Sequence, residues 1–148
     1  MKPIVFSLCL ILAGFSPGFS QVAGTFYSSG DANEIYGPVL KSYEIEPLVL
    51  QQIVSLAEKE GNRIWFFYDE NGSSFIISGR AKTVLFTTGN STFDGKLGRV
   101  FDVIKVQTLL NKHPGKLVNL QLRQNGVFSL ETDGEVLERG LMCPPFCE

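Results

Sequence analysis

The chain has 148 residues, 44% of them apolar, with 13 Lys and Arg against 15 Asp and Glu. That length is enough for one domain with a core of its own. A net charge of −2, with the basic residues scattered along the chain, gives no electrostatic footing for nucleic acid.

Residues 1–20 read as a secretory signal peptide. Lys2 supplies a charge near the start, Ile4 to Phe15 are almost all apolar, and Gly18-Phe19-Ser20 offers a small-x-small exit. The run is short of the roughly 20 apolar residues that a spanning helix needs. Nothing later is apolar enough to span, so no stable membrane span is expected after cleavage before Gln21. Cleavage removes Lys2 and Cys9, leaving 12 basic against 15 acidic residues, a net charge of −3, and two cysteines. A secreted or periplasmic location follows.

Residues 21–45 read as an irregular packing arm. It has a turn cluster at Ser28-Ser29-Gly30-Asp31 and a short strand near Val39–Tyr43. Its aromatics, Phe26, Tyr27, Tyr36 and Tyr43, argue against a free tail. Residues 46–140 then read as a single α+β domain. Glu46-Pro47 opens a helix, because a proline N–H has no helical partner in a first turn. Leu48, Val49, Leu50, Ile53, Val54, Leu56 and Ala57 give it a broad apolar surface, and Gly61 is expected to stop it as a left-handed cap.

Strands are predicted at residues 63–69, 73–78 and 82–88, followed by a loop over 89–96. A second helix is predicted over 97–112, ended by His113-Pro114-Gly115. Strands at 117–123, 127–132 and 135–138 follow, with Asp133-Gly134 as a two-residue turn. The order helix, glycine, strand, Asn-Gly turn, strand, turn, strand therefore occurs twice. Ile64 falls on Val118 and Asn71-Gly72 on Asn125-Gly126, an offset of 54 residues. The expected architecture is two helices packed on one face of an antiparallel sheet of about six strands, built as two α-β-β-β halves.

Register follows from burial, because a one-residue slip moves every side chain to the other face. A three-residue loop at Gln124-Asn125-Gly126 pairs Leu122 with Phe128 and Leu120 with Leu130. The opposite face then carries Asn119, Gln121, Ser129 and Glu131 and is expected to be solvated. The same register in the first half pairs Phe66 with Ile76 in the core. It sets Phe67 against Phe75 and Trp65 against Ile77 on the other face. Three aromatics of roughly 200 Å² each reach the upper end of what a monomer exposes. Trp65, Phe67, Phe75 and Ile77 are therefore the candidate binding surface, to be covered by the arm, a protein partner or an apolar ligand.

Residues 141–148 form a tail with Cys143-Pro144-Pro145-Phe146-Cys147. In an exported chain the two cysteines are expected to bridge each other. Three intervening residues do not match a thioredoxin-like motif, and no activating helix start is evident. His113 is the only histidine and sits where a helix C-terminus favours a cation. No metal site and no cofactor are expected. Asp69-Glu70 flanks a turn, which does not hold two carboxyls across a cleft as glycoside hydrolysis requires. Asn71-Gly72-Ser73 and Asn90-Ser91-Thr92 match the glycosylation sequon.

The functional reading is an exported non-catalytic binding protein, such as an inhibitor, an immunity-type protein or an envelope component. One alternative is a small secreted hydrolase or thiol-redox protein using Cys143, Cys147 or His113. Another is a carrier of an apolar small ligand.

Overall fold

The structure, a computed structural model, describes residues 22–143. The leader assigned to Met1–Ser20, and Cys147 with its bridge to Cys143, lie outside the described residues. No helix among the described residues is long and apolar enough to cross a membrane.

The segment read as an irregular arm is regular. It forms β1 (Thr25–Ser28), α1 (Ser29–Tyr36) and β2 (Val39–Ile45). Ser28 starts α1 by accepting the Asp31 N–H on its hydroxyl, an N-cap that satisfies one orphan donor of the first turn. α2 (Pro47–Glu60) begins on the predicted proline and buries Leu50, Ile53, Val54 and Ala57 along one face. Gly61 ends it, but in an extended conformation, with its N–H bonded to the Ala57 carbonyl.

β3 (Arg63–Tyr68), β4 (Phe75–Ser78), a single 3₁₀ turn at Arg80–Lys82 and β5 (Val84–Thr87) follow. Residues 97–102 then depart from expectation. They form β6 (Leu97–Asp102), and α3 spans only Val103–Lys112. β7 (Val118–Arg123), β8 (Phe128–Thr132), β9 (Glu135–Glu138) and β10 (Leu141–Cys143) complete the described chain.

The architecture is mixed α+β and antiparallel, but the strands form two five-stranded sheets rather than one of six. Their orders are β1-β9-β8-β7-β2 and β10-β6-β3-β4-β5. The halves exchange their first strands. β2 leads into α2 yet pairs with β7, while β6 leads into α3 yet pairs with β3. Each half is thus β-α-β-β-β, and neither sheet is complete without a strand from the other half. The exchanged strands occupy matching places: Ile45 lies beside Val118, and Phe101 beside Ile64.

The sheets meet through aromatic rings. Phe66 and Tyr68 each stack on Phe128 of the opposite sheet at 5.2 Å. α2 and α3 pack against each other and add their apolar faces to the same core.

The second hairpin has the predicted register, Leu122 with Phe128 and Leu120 with Leu130. The first does not. Tyr68 pairs with Phe75, Phe66 with Ile77, Phe67 with Ile76 and Trp65 with Ser78. The physical reason lies in the connecting loop. Asp69 accepts the Ser73 and Ser74 hydroxyls and the buried Lys96 ammonium at 2.7 Å. These bonds organise a four-residue loop, 70–73, closed by the Asp69 N–H on the Ser74 carbonyl, where the second hairpin has three, 124–126, closed by the Arg123 N–H on the Val127 carbonyl. The strand is displaced by one position, so Phe75 and Ile77 turn into the main core.

Candidate functional site

The four residues expected to form one binding surface are divided between two faces. Phe75 and Ile77 belong to the main core. Trp65 and Phe67, 6% and 4% exposed, sit on the opposite face of the sheet with Ile76 and Val100. Phe93 from the 88–96 loop and Leu141 from β10 cover them, and Phe93 meets Phe67 edge-on at 4.8 Å. Residues 22–45 of the expected arm lie elsewhere.

The α1 helix of that segment lies against the outer face of the other sheet, whose edges are β1 and β2; that face was expected to be solvated. Gln121 and Ser129 are buried there beside Arg123 and Glu138. The Arg123 guanidinium donates to Glu138 at 2.9 Å, Ser129 at 3.2 Å and Gln121 at 3.2 Å. It also donates to Asn33 of α1 at 2.6 Å and to the Gly37 carbonyl at 3.0 Å. Burial pushes the Glu138 carboxyl up to about 7, against the pull of the Ser129 hydroxyl and Arg123. This network fastens α1 to the sheet.

Fastening α1 walls a cleft of about 650 Å³ at the end of α3, open to solvent. Three chain segments converge on it. β1 contributes Phe26, Tyr27 and Ser28, with Asp31 from the first turn of α1. α3 ends at Lys112, a cation where the helix dipole is negative, with His113 as its C-cap. The β8–β9 turn contributes Asp133, Gly134 and Glu135. Asp133 and Gly134 have φ of 50° and 85°, as a two-residue hairpin turn with positive φ at both centres requires.

Every titratable group at the centre of the cleft is bonded to another. Glu135 accepts Lys112 Nζ at 2.7 Å and lies 2.9 Å from His113 Nε2. Burial raises the Glu135 carboxyl, but the bonds from Lys112 and His113 outweigh it and hold the pKa below its ordinary value. His113 Nδ1 faces Asp133 at 3.7 Å, and Lys116 approaches the same carboxylate at 3.7 Å. Lys112 also lies 4.4 Å from the centre of the Phe26 ring, a cation–π contact that fixes the ring as one wall. The Ser28 hydroxyl donates to Asp31 at 2.7 Å.

Sequence reasoning found His113 as a helix cap and as a residue of the hydrolase alternative, but missed its partner Glu135 and the Lys112 and Phe26 that complete the cluster. Only the Asp133-Gly134 turn pointed toward them. No group of three or more potential metal ligands occurs among the described residues. A second, smaller groove of about 560 Å³ runs along α2, lined by Leu48, Gln52 and Leu56 among others.

No protein-family model, curated protein or solved structure matches the chain. The chemistry of the cleft therefore has to carry the functional reading.

Proposed function

We propose that the mature chain is an exported, non-catalytic binding protein that receives a loop of a polypeptide partner in the cleft between β1, α3 and the β8–β9 turn. The observation that carries this reading is the state of His113. Both of its ring nitrogens face carboxylates, Nε2 at 2.9 Å and Nδ1 at 3.7 Å. A general base needs a free nitrogen within reach of the proton it abstracts. Ser28, the hydroxyl lining the cleft, directs its own proton to Asp31.

The same bonds suit the cleft to recognition. Lys112, His113 and Glu135 are held in place before any partner arrives, so little side-chain freedom is lost on binding. Phe26 and Tyr27 offer aromatic surface of the kind enriched in binding hot spots. Three carboxylates, Asp31, Asp133 and Glu135, stand against Lys112 and His113 in the lining, which favours a neutral or basic polar loop over an acidic one. An exported partner is implied by the leader, and it replaces the Trp65–Phe67 surface, which internal packing occupies.

Affinity capture from an extracytoplasmic extract tests this, with the wild-type chain and an H113A/E135Q variant as paired baits. A protein retained by the wild type and lost with the variant is expected. Equal retention by both baits would remove the cleft from the interaction. Hydrolytic turnover of generic ester or peptide substrates that disappears in H113A would establish the enzyme reading instead.

A further inference from the structure

A second site lies at the other end of α1. β6 sets Arg99 beside Phe66 of β3 and Met142 of β10. Arg99 therefore shares the face that looks into the space between the sheets. At the mouth of that space is a pocket of about 200 Å³, lined by Arg99, Arg139, Tyr36, Phe128 and Met142 among others.

Neither arginine is in a close ion pair, although the charge of Arg99 reaches the Glu138 carboxyl and its guanidinium bonds the Tyr68 hydroxyl. Among the described residues no carboxylate comes within ion-pair distance of either guanidinium. Glu138, next to Arg139 in sequence, is bonded to Arg123 instead. Arg139 donates from Nε to the Tyr36 hydroxyl at 3.1 Å, and its guanidinium lies 5.8 Å from the Tyr27 ring and interacts with the Tyr27 hydroxyl. Both acceptors are neutral phenols, so the charge of Arg139 is not matched by an anion.

Two backbone features hold Arg139 there. Its φ is +59°, in the left-handed region that costs stability for any residue with a side chain other than Asn or Asp. The next residue, Gly140, approaches Phe101 so closely that a Cβ would stand 2.8 Å from the ring. The chain thus turns left-handed at a position where glycine would be the comfortable choice, and it presents an arginine.

We propose that this pocket binds a carboxylate carried on a small apolar body, with Arg99 and Arg139 as its charge partners. Guanidinium forks match carboxylate geometry, and Phe128, Val127 and Met142 supply the apolar lining. The volume admits a chain terminus or a short organic acid rather than a larger ligand. A peptide C-terminus and a free small acid share this chemistry.

Calorimetric titration of the mature full chain with N-acetyl-leucine, N-acetyl-leucine amide, hexanoate and inorganic phosphate tests the proposal. At least one of the two carboxylates is expected to bind at millimolar concentration, and the amide is expected not to. Binding of N-acetyl-leucine alone identifies a peptide terminus, and binding of hexanoate alone a free acid. R99Q and R139G should each weaken the interaction by about tenfold or more. R139G carries a second signature: relief of the left-handed strain should raise Tm by about 3 °C while affinity falls. The proposal is overturned if neither carboxylate binds, if the amide binds as well as the acid, or if phosphate binds where carboxylates do not. It is equally overturned if both arginine variants keep wild-type affinity, or if binding appears only after residues 144–148 are deleted.

Discussion

Replacing Arg123 by Met removes five hydrogen bonds at once, those to Glu138, Ser129, Asn33, the Gly37 carbonyl and Gln121. At about 0.5–1.5 kcal/mol net for each bond, with Asn33 able to turn toward water, the expected loss is about 3 kcal/mol. A domain's whole stability is on the order of 5–15 kcal/mol, so the variant should still fold. The loss should also depend on pH. In the wild type, burial raises the Glu138 carboxyl to about 7, above its unfolded value. Its favourable contribution is therefore complete below the unfolded pKa and declines as pH rises toward 7, then levels off.

Without Arg123 the carboxyl stays protonated to higher pH, and the native state goes on losing stability at about 1.4 kcal/mol per pH unit above 7. Urea unfolding of wild type and R123M at pH 6 and pH 8 measures both parts. We expect a deficit near 3 kcal/mol at pH 6 and about 1 kcal/mol more at pH 8. A double variant, R123M/E138L, should recover stability at pH 8, because it removes the unpaired buried acid. A deficit below about 1 kcal/mol at both pH values, well short of the bond sum, would refute the assignment of α1's attachment to Arg123.

Other consequences are separable from this one. W65S and F67S should each destabilise the chain by about 3–5 kcal/mol, the range for loss of a large buried side chain, and near-neutral variants would place both residues at the surface. Asp69, bonded to Lys96, Ser74 and Ser73, is lowered from 3.8 to about 2. Its contribution is present above the unfolded pKa and disappears as pH falls through 2. After allowance for its partial exposure this amounts to roughly 1–2 kcal/mol, and D69N should abolish that acid step in a pH series of thermal melts.

Much of the secondary structure is legible in the chain. Pro47 and Gly61 bracket α2, and the alternation of Leu120, Leu122, Phe128 and Leu130 with polar residues fixes the second hairpin. Asp133-Gly134 announces its turn. β6 escapes because Val100, Phe101 and Ile104 also fit a helical spacing and run straight into α3. The first hairpin escapes because Phe and Ile occupy both of its faces, so burial cannot choose between registers. Its choice is made by Asp69 and Lys96, which are 27 positions apart.

The exchange of β2 and β6 between sheets is a non-local pairing that no local pattern encodes. The cleft is illegible for the same reason. It joins Phe26, Lys112 and Glu135 from three segments, and the non-local pairing of β1 with β9 brings the first to the other two.

The most direct test of the account is hydrogen exchange on the chain alone and in complex with its captured partner. We predict that protection gained on binding falls on residues 26–31, 112–113 and 133–135, the walls of the cleft. Protection concentrated instead on the exposed face of α2, around Leu48 and Leu56, with the cleft unchanged, would contradict it.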